Sequence, residues 1–443
     1  MAISDAREFM NSKKKHIVII AQKFPPHSNV GGRRPYFFSK YLSELGYKVS
    51  VIIGNYPIKK NMIWETDLSF LKIIKLDSTA LATKKKGNKI FFYFLYEFLK
   101  HSRYSILNRI SWKIGEIFLP LDFNDRLDFN EYDLANKIGK IDYIIATGGP
   151  WSMFEYGVRL KSVSNAKLIL DYRDPWNAVN KDVYLESLNN KGFGSFFIKK
   201  KQLSLERKYL EISSAVITVS SSISLNCKKI LDRNNVHTIY NGFDQLEKIN
   251  NNTSFINNYF NITYIGQIRK EQNISILIKA MKEVLIRNPE LETKIKINLI
   301  GSLISSVSVL RPISKSSVKT LFNITNYIPK KDALAFLESS QLLLQLSYKD
   351  KKGIVSSKIF QYINSGKPIL LVSNGEDIME EIIRETNTGE TCKTPQQIAN
   401  YILKCFRKWE NNQTLERKVN KENLAFYSFK NQVDLIDKII SDL

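Results

Sequence analysis

The sequence is poor in the residues and motifs that mark several large protein classes. It has 3 cysteines, far apart and without a CxxC pair, so neither a disulfide framework nor a cysteine zinc site is indicated and a reducing compartment fits best. The 4 histidines show no HxxxH spacing, so no metal site is predicted. GxGxxG and GxxxxGK[ST] are absent, which argues against a dinucleotide oxidoreductase and a P-loop NTPase.

Long hydrophobic runs are also lacking. A membrane-spanning helix needs about 18 or more apolar residues, and the longest candidate, "IFFYFLYEFL" (90–99), is shorter and is interrupted by Glu97. The N-terminal stretch "MAISDAREFMNSKKKH" carries charges where a secretory signal would need its apolar core. We therefore expect a cytoplasmic protein that does not cross a bilayer.

Acidic residues are scarce relative to basic ones. Lys and Arg number 66 against 43 Asp and Glu, which gives a formal charge of +23. This balance favours an anionic partner such as nucleotide phosphates, anionic lipid or nucleic acid, and charge alone does not choose among them. Zinc spacing and RNP motifs are lacking, so we expect no nucleic-acid partner.

What the sequence does contain is a repeated β–α alternation, and 443 residues are enough for two or three domains. The run "HIVIIAQKFPP" (16–26) is typical of a buried parallel strand, and a helical pattern and a second strand follow it to residue 53. A polar, Asn-rich stretch precedes a second such series, which starts at "NITYIGQ" (261–267). The pattern predicts an α/β protein with two tandem Rossmann-like, doubly wound domains that face a cleft. The predicted segments are a tail (1–15), an N-terminal domain (16–244), a linker (245–259), a C-terminal domain (260–418) and a helical segment (419–443).

Residues 80–130 interrupt this alternation. They combine "TKKKGNK" with an aromatic run and then with "KHSRYSILNRISWKIGEIFLPL", where bulky residues recur at near-helical spacing among cations. One interpretation is a basic amphipathic insertion for an anionic membrane surface or an amphiphilic acceptor. The other is a pair of ordinary core helices with solvated Lys faces.

The stretch "VSSKIFQYINSGKPILLV" (355–372) predicts a short helix that ends abruptly before a buried strand. Gly366 is suited to the position after the helix, and Pro368 prevents the helix from continuing. Ser356, Ser357 and Lys358 stand at the start of the helix, where unpaired backbone N–H groups favour an anion.

This stretch resembles the nucleotide-sugar segment of retaining glycosyltransferases with the GT-B fold, of the family 4 type (glycosyl transferases group 1). Other segments line up in the family's order, and together they cover most of residues 16–375: "FPPHSNVGGRRPYFFSKYLSELGYKVSV", "DYRDPW" (171–176), "ITVS" (217–220), "YNGFD" (240–244) and "YIGQIRKEQN" (264–273). The resemblance implies an acceptor-binding N-terminal domain and a nucleotide-sugar-binding C-terminal domain. It also implies a hexosyltransferase-type enzyme (EC 2.4) that needs no metal or other cofactor.

Carried over position by position, the resemblance names a set of donor-binding residues. They are Gly31, Gly32, Gly266, Gln267, Arg269, Gln272, Ser356, Ser357, Lys358 and Gln361. Glycine lets backbone amides approach an oxyanion closely. The family usually carries cations at the positions of Gln267 and Gln272, and a ribose-binding glutamate at the position of Gln361. Arg269, Lys270 and Lys358 are close enough in sequence to substitute for the missing cations.

The resemblance also proposes catalytic and acceptor-binding residues. The catalytic set is Asp174, Arg173, Arg269 and Lys358, and the acceptor set is Arg33, Trp151 and Asp171. "RDPW" has a second interpretation, a turn held by a buried Arg–Asp pair. Phe154 stands where related enzymes often have a histidine.

The functional hypothesis is therefore transfer of a sugar from a nucleotide-diphosphate sugar to a hydroxyl of a lipid-linked or saccharide acceptor. The setting would be surface polysaccharide synthesis (lipopolysaccharide or capsule) at the inner face of the membrane. The alternatives are a catalytically silent GT-B binding subunit and a sugar-nucleotide epimerase. The sequence leaves the oligomeric state, the sugar, the base and the acceptor open.

Overall fold

The computed structural model of the 443-residue chain divides into two compact units, one of residues 1–240 and 433–443 and the other of residues 241–432. The described residues are 15–27, 30–56, 64, 66–77, 89–100, 104–122, 126–176, 195–231, 234–244, 258–349, 353–373, 375, 378–413 and 418–443. The predicted tail (1–15) lies outside them except for residue 15, and the predicted linker (245–259) lies outside them except for residues 258 and 259.

The first unit is built on a parallel sheet of seven strands in the order β3-β2-β1-β4-β5-β6-β7. The strands are β1 (His16–Ile20), β2 (Lys48–Asn55), β3 (Lys72–Asp77), β4 (Tyr143–Thr147), β5 (Lys167–Tyr172), β6 (Ala215–Thr218) and β7 (Val236–Thr238). Every residue of β1 is buried, as expected for a central strand covered on both faces. The strand order reverses between β1 and β4, so loops at the carboxyl ends of these two strands diverge and leave a crevice.

Helices cover both faces of this sheet, because each strand is joined to the next parallel strand by a crossover. They are α1 (Val30–Glu44), α2 (Lys89–Lys100), α3 (Ser105–Phe118), α4 (Glu131–Ile138), α5 (Ser152–Ser162), α6 (Ser195–Ile212) and α7 (Ser221–Leu231). Within the predicted insertion (80–130), α2 and α3 form a helical hairpin. The ring centroids of Phe92 and Phe118 lie 3.9 Å apart across that hairpin.

The second unit has a parallel sheet of six strands in the order β10-β9-β8-β11-β12-β13. The strands are β8 (Phe260–Ile265), β9 (Ile295–Ile300), β10 (Phe322–Ile324), β11 (Leu342–Leu346), β12 (Ile369–Val372) and β13 (Gly389–Cys392). Here the order reverses between β8 and β11, which places the corresponding crevice at the carboxyl ends of those two strands.

The helices of the second unit alternate with its strands, and two further helices follow. They are α8 (Ile274–Arg287), α9 (Val307–Ser314), α10 (Lys330–Glu338), α11 (Lys358–Asn364), α12 (Ile378–Thr386), α13 (Pro395–Glu410), α14 (Lys421–Phe426) and α15 (Phe429–Ser441). Most of α15 belongs to the first unit, where the Tyr47 hydroxyl donates to Asp437 at 2.7 Å.

The predicted fold class is confirmed, since each unit is a doubly wound parallel α/β domain. The helix stop predicted in 355–372 is also confirmed: α11 ends at Asn364, Gly366 has φ +71°, and β12 starts at Ile369. A 3₁₀ turn at Lys319–Leu321 directly precedes β10 and leaves that strand only three residues. Among the described helices, none combines the length and the apolar character that a bilayer crossing requires.

Candidate functional site

Gly266 and Lys358 meet at the crevice of the second unit. Gly266 follows β8 with φ +105°, a conformation that residues with a Cβ rarely adopt. A Cβ on Gly266 would lie 2.7 Å from Lys358 Cε and 3.2 Å from its Nζ. Glycine at this position therefore leaves the space in which the lysine side chain lies. The same arrangement places the Lys358 ammonium group beside the Gly266 backbone, which carries no side chain.

Tyr264 contacts this ammonium group with both its hydroxyl and its ring. Lys358 Nζ donates to the Tyr264 hydroxyl at 3.2 Å and lies 4.8 Å from the centre of its ring. The same hydroxyl is 3.1 Å from the Gln267 carbonyl oxygen and 3.3 Å from Gln272 Oε1. Burial raises the pKa of Tyr264 well above its usual range, so the phenol stays protonated and the pair carries a net positive charge.

The Gln272 side chain stabilises the loop that links β8 to α8. Its Oε1 accepts from the Arg269 N–H at 2.9 Å, and its Nε2 donates to the Leu346 carbonyl at 2.9 Å. The side chain is only 2% exposed. The neutral amide can satisfy both partners in the interior, which a cation at this position could not do. A donor contact for Gln272 remains a prediction.

Lys358 and Arg269 are two cations of the same crevice. The pKa of Lys358 is lowered, mainly by burial and further by the charge of Arg269, while Tyr348 acts in the opposite direction. Neither cation forms an ion pair with a carboxylate of the residues that the structure describes. Arg269 is exposed and Lys358 is half-buried. An anion bound here would relieve both the repulsion and the desolvation.

Four further predicted donor residues, Gln267, Ser356, Ser357 and Gln361, lie in the loops that border this crevice or on α11. Ser356 and Ser357 directly precede α11, and neither makes a side-chain cap bond to its N–H groups. The Gln361 side chain is half-buried, and within the described part of the chain its amide has no hydrogen-bond partner. Gln267 Nε2 donates to the Ile304 carbonyl at 3.3 Å. Gln361 thus has donors and acceptors to offer a ligand hydroxyl.

In the first unit, Arg173 joins the first turn of α1 to the loop after β4. Its guanidinium group donates to the Gly31 carbonyl at 3.0 Å and to the Gly149 carbonyl at 2.6 Å. It also pairs with Asp174 at 3.2 Å, and the Asp174 side chain is half-exposed. The predicted residues Gly31, Arg173 and Asp174 are therefore neighbours in space. A direct catalytic contact for Arg173 or Asp174 remains a prediction.

Asp171 is paired with an arginine that the sequence did not single out. Arg34, on α1, donates from Nη2 and Nε to the Asp171 carboxylate at 2.8 and 2.9 Å, and its Nη1 donates to the Tyr240 carbonyl at 3.0 Å. Both side chains are almost fully buried. The pair inside "RDPW", Arg173–Asp174, is partly exposed, and the buried Arg–Asp pair of this region is Arg34–Asp171 instead. In this position the Asp171 carboxylate has no exposed surface. The predicted acceptor contact for it remains a prediction.

Aromatic rings surround the remaining predicted residues of the first unit. Trp151 stacks on Trp176 with a centroid distance of 4.8 Å, and Phe154 is fully buried beside both. Arg33 lies over Trp64 at 5.4 Å, and over Phe37. These rings fix the predicted acceptor residues Trp151 and Arg33 in place.

The glycine-rich start of α1 has a packing reason. A Cβ on Gly32 would lie 3.2 Å from the backbone of Phe24, in the loop after β1. The helix therefore packs closely against that loop. Gly32 is buried in this packing. An oxyanion contact for its backbone remains a prediction.

Two important side chains escaped sequence reasoning. The partners Arg34 and Asp171 are 137 positions apart, and the second arginine of "GGRR" carries no local sign of burial. Tyr264 lies inside a strand pattern and reads as core, although its hydroxyl bonds Lys358. Among the described residues, no group of three or more His, Cys, Asp and Glu side chains is placed to hold a metal ion.

The family comparison covers the second unit. Residues 245–423 match the model of the family described as "Glycosyl transferases group 1". The resemblance to glycosyl transferases group 1 is thereby confirmed over this part of the chain, and the enzyme class that it indicates is a glycosyltransferase (EC 2.4). No curated protein matches the sequence.

Solved structures of similar fold extend over both units. Sucrose-phosphate synthase from Thermosynechococcus elongatus is 12% identical with a TM-score of 0.60, covering 97% of this chain and 99% of its own. The Anabaena protein HepE, solved with UDP and glucose, is 13% identical with a TM-score of 0.58, covering 97% and 100%. A trehalose-phosphate synthase (UDP-forming) from Burkholderia vietnamiensis is 9% identical with a TM-score of 0.60, covering 97% and 100%. At these identities the likeness establishes the shared GT-B fold.

Proposed function

We propose that this chain, whose residues 245–423 match glycosyl transferases group 1, is a retaining glycosyltransferase that uses a nucleotide-diphosphate sugar. The observation that carries the proposal is the crevice of the second unit, where Lys358 and Arg269 lack a carboxylate partner among the described residues. A diphosphate carries the opposite charge, and beside the Lys358 ammonium group Gly266 presents backbone without a side chain of its own. The similar HepE structure contains UDP, which further supports a nucleotide sugar as the donor.

In the proposed reaction, the bond between the sugar and the diphosphate breaks while an acceptor hydroxyl attacks the sugar carbon. Lys358 and Arg269 stabilise the negative charge that develops on the departing diphosphate. This stabilisation takes the role that a metal ion has in other transferases, so the proposal requires no metal. The free amide of Gln361 is suited to bond a ribose hydroxyl, and Ser356 and Ser357 lie within the same segment.

Retention of configuration is supported by the family resemblance and by the surroundings of Phe154. Phe154 is packed among Trp151, Tyr172 and Trp176. Because its side chain is a hydrocarbon, this position supplies neither a base nor a nucleophile. We infer that the leaving phosphate itself accepts the proton of the attacking hydroxyl, and that both react on one face of the sugar. The enzyme then contributes orientation and electrostatic stabilisation.

For the acceptor, we propose a lipid-linked saccharide in the synthesis of a surface polysaccharide, bound by the first unit near Arg33 and Trp151. An amphiphilic acceptor requires the enzyme to work at a membrane surface. The formal charge of +23 favours the anionic inner face of the cell membrane.

The proposal is tested by a thermal-shift screen with uridine, guanosine, adenosine and thymidine diphosphates and their sugars. At least one should raise the melting temperature, and the matching nucleotide sugar should then be consumed when a lipid-linked saccharide is added. NMR of the product should show the anomeric configuration of the donor. If no nucleotide stabilises the protein, or if the configuration is inverted, the proposal is wrong.

A catalytically silent GT-B subunit is the second candidate, and one observation favours it. Gln272 occupies a position where the family usually has a cation, and its amide is committed to the fold. A silent subunit would bind a nucleotide sugar with normal affinity without transferring or hydrolysing it. Binding and turnover measured on the same preparation separate the two candidates.

A further inference from the structure

The helical hairpin α2–α3 and the start of α6 expose an unusual number of large apolar side chains. On α2, Phe91, Phe94 and Phe98 are 67%, 68% and 80% exposed, and their spacing of three and four places them on one helix face. Ile106 on α3 and Phe196 and Phe197 on α6 are also exposed. We call these six residues the aromatic surface. Exposed apolar side chains that cluster in this way mark a binding surface.

Contacts between the helices hold the aromatic surface together. Phe92 stacks on Phe118 at 3.9 Å and lies 5.6 Å from Phe91, so the start of α2 lies against the end of α3. Lys201 of α6 donates to the carbonyl oxygens of Glu116 at 2.9 Å and Ile117 at 3.1 Å. This cation satisfies the carbonyl end of α3 and places α6, with Phe196 and Phe197 about one turn earlier, at the same end of the hairpin.

The sequence that carries the aromatic surface has an excess of positive charge, which indicates the chemistry of its partner. Residues 84–118 contain eight Lys or Arg and two Glu, and one of these, Glu97, pairs with Lys100 at 2.8 Å. Lys199 and Lys200 come two and three positions after Phe197, the second exposed phenylalanine of α6. A second copy of the chain in a two-fold dimer would bring identical cations face to face. A bilayer with anionic headgroups offers charge of the opposite sign together with an apolar layer.

We propose that the aromatic surface lies in the headgroup region of an anionic bilayer, with the phenylalanines of α2 and α6 inserted among the acyl chains. The helices lie parallel to the membrane plane, because α2 has 12 residues and α3 has 14, too few to span it. The neighbouring Lys and Arg side chains bind lipid phosphates. The inference deepens the proposed function by naming the element that meets the membrane, and it rests on that function only for the lipid-linked acceptor.

The experiment is co-sedimentation of the full chain with vesicles of phosphatidylcholine containing about one third phosphatidylglycerol, compared with vesicles of phosphatidylcholine alone. The test variant is F94S/F98S, whose side chains are exposed, and the matched control is I286S, because Ile286 is 80% exposed on the second unit. Wild type and I286S should bind the anionic vesicles and bind neutral ones much less. F94S/F98S should lose about tenfold or more in vesicle affinity, because two apolar side chains no longer leave water.

A second readout uses Trp112, which lies on α3 and is partly exposed. Lipids with brominated acyl chains should quench more fluorescence in wild type than in W112F. Equal vesicle binding by F94S/F98S and wild type, equal binding to neutral vesicles, or a dimer that this variant abolishes would overturn the inference. Nucleoside diphosphate affinity is measured in parallel and should be the same in all variants, so a failure of the membrane surface is distinguished from a failure of the donor site.

Discussion

Lys358 combines a buried stem with a charge that lacks a carboxylate partner in the described part of the chain. Burial lowers its pKa, which means that the folded protein raises the free energy of the ammonium form. A bound diphosphate reverses this effect, because it favours the charged form. At the scale of the single residue, the donor site is therefore an electrostatic site that is incomplete without its anion.

Replacement of Lys358 by Ala should weaken binding of the preferred nucleoside diphosphate by about 1.5–3 kcal/mol, roughly 10- to 150-fold, because a charge-assisted hydrogen bond is lost. Isothermal titration calorimetry measures the change. K296A is the control, since Lys296 is the second residue of β9 and so lies near the amino end of that strand, away from the crevice at the carboxyl ends. Unchanged affinity in K358A would remove the residue from the site.

The lowered pKa of Lys358 also predicts a pH dependence. The ammonium group loses its proton at a lower pH than an exposed lysine does, so diphosphate affinity should fall as the pH rises through this lowered pKa. K358R should shift the fall to higher pH, since arginine keeps its charge. Titrations between about pH 7 and pH 10 compare the two proteins. Identical profiles would contradict the assignment.

Gly266 should not tolerate a side chain. In G266A the new Cβ would lie 2.7 Å from Lys358 Cε, and the alanine would have to adopt a φ of +105°. We therefore expect about 1–2 kcal/mol of destabilisation and weaker diphosphate binding. G46A is the matched control, because Gly46 has φ +94° and a Cβ added there would have no neighbouring atom within 4 Å. Urea unfolding should show a loss in both variants, whereas calorimetry should show weaker binding only in G266A.

At the scale of elements, a buried ion pair ties α1 to the end of β5. Arg34 and Asp171 bring together two segments 137 residues apart, next to the loop contacts that Arg173 makes. Buried pairs of this kind contribute little net stability against apolar replacements, yet either partner left alone is very unfavourable. The pair therefore serves mainly to fix the position of α1 relative to the sheet.

Replacement of Asp171 by Ala should destabilise the first unit by about 3–5 kcal/mol, since the Arg34 charge would remain buried without a partner. The double variant R34M/D171L should recover much of this loss. Urea denaturation followed by far-ultraviolet circular dichroism measures both. K294A, which breaks an exposed pair with Glu410, should have little effect. A mild loss in D171A would show that the pair does not hold α1.

At the scale of the whole molecule, one buried histidine, His16, and two partly buried ones, His27 and His237, make stability depend on pH. Burial lowers the pKa of His16, His27 and His237 below the usual value. His16 Nδ1 and Nε2 contact the Lys140 carbonyl and the Ser50 hydroxyl, both at 2.8 Å, which suits a neutral ring. The folded state consequently binds fewer protons than the unfolded chain near pH 6.

The free energy of unfolding should therefore be retained above about pH 6.5 and should fall as the pH decreases below it. Urea denaturation at several pH values between about 5.5 and 7.5 measures this dependence. The variant H16Q should show a smaller slope, since one titrating group is removed. A stability that rises on acidification through this range would show that the histidines are not held neutral.

Local patterns in the sequence were sufficient to predict much of the fold. Apolar runs such as residues 16–20 predict buried strands because a central parallel strand is covered on both faces. The end of α11 was predictable because Gly366 and Pro368 restrict the backbone locally. Lys358 was predictable from the family pattern around it. Gln272 was named as a donor residue, and nothing in its neighbourhood indicates that its amide bonds Leu346.

Thus the sequence by itself determined the two α/β halves, the short helix at 358–364 and the basic, aromatic character of residues 84–118, because each depends on the order of nearby residues. Only the tertiary structure decided the partners Arg34 and Asp171, the bonding of Tyr264 to Lys358, and the exposure of the phenylalanines on α2. The physical reason is that strand order and helix packing bring distant residues together. A sequence window contains no information about that distance.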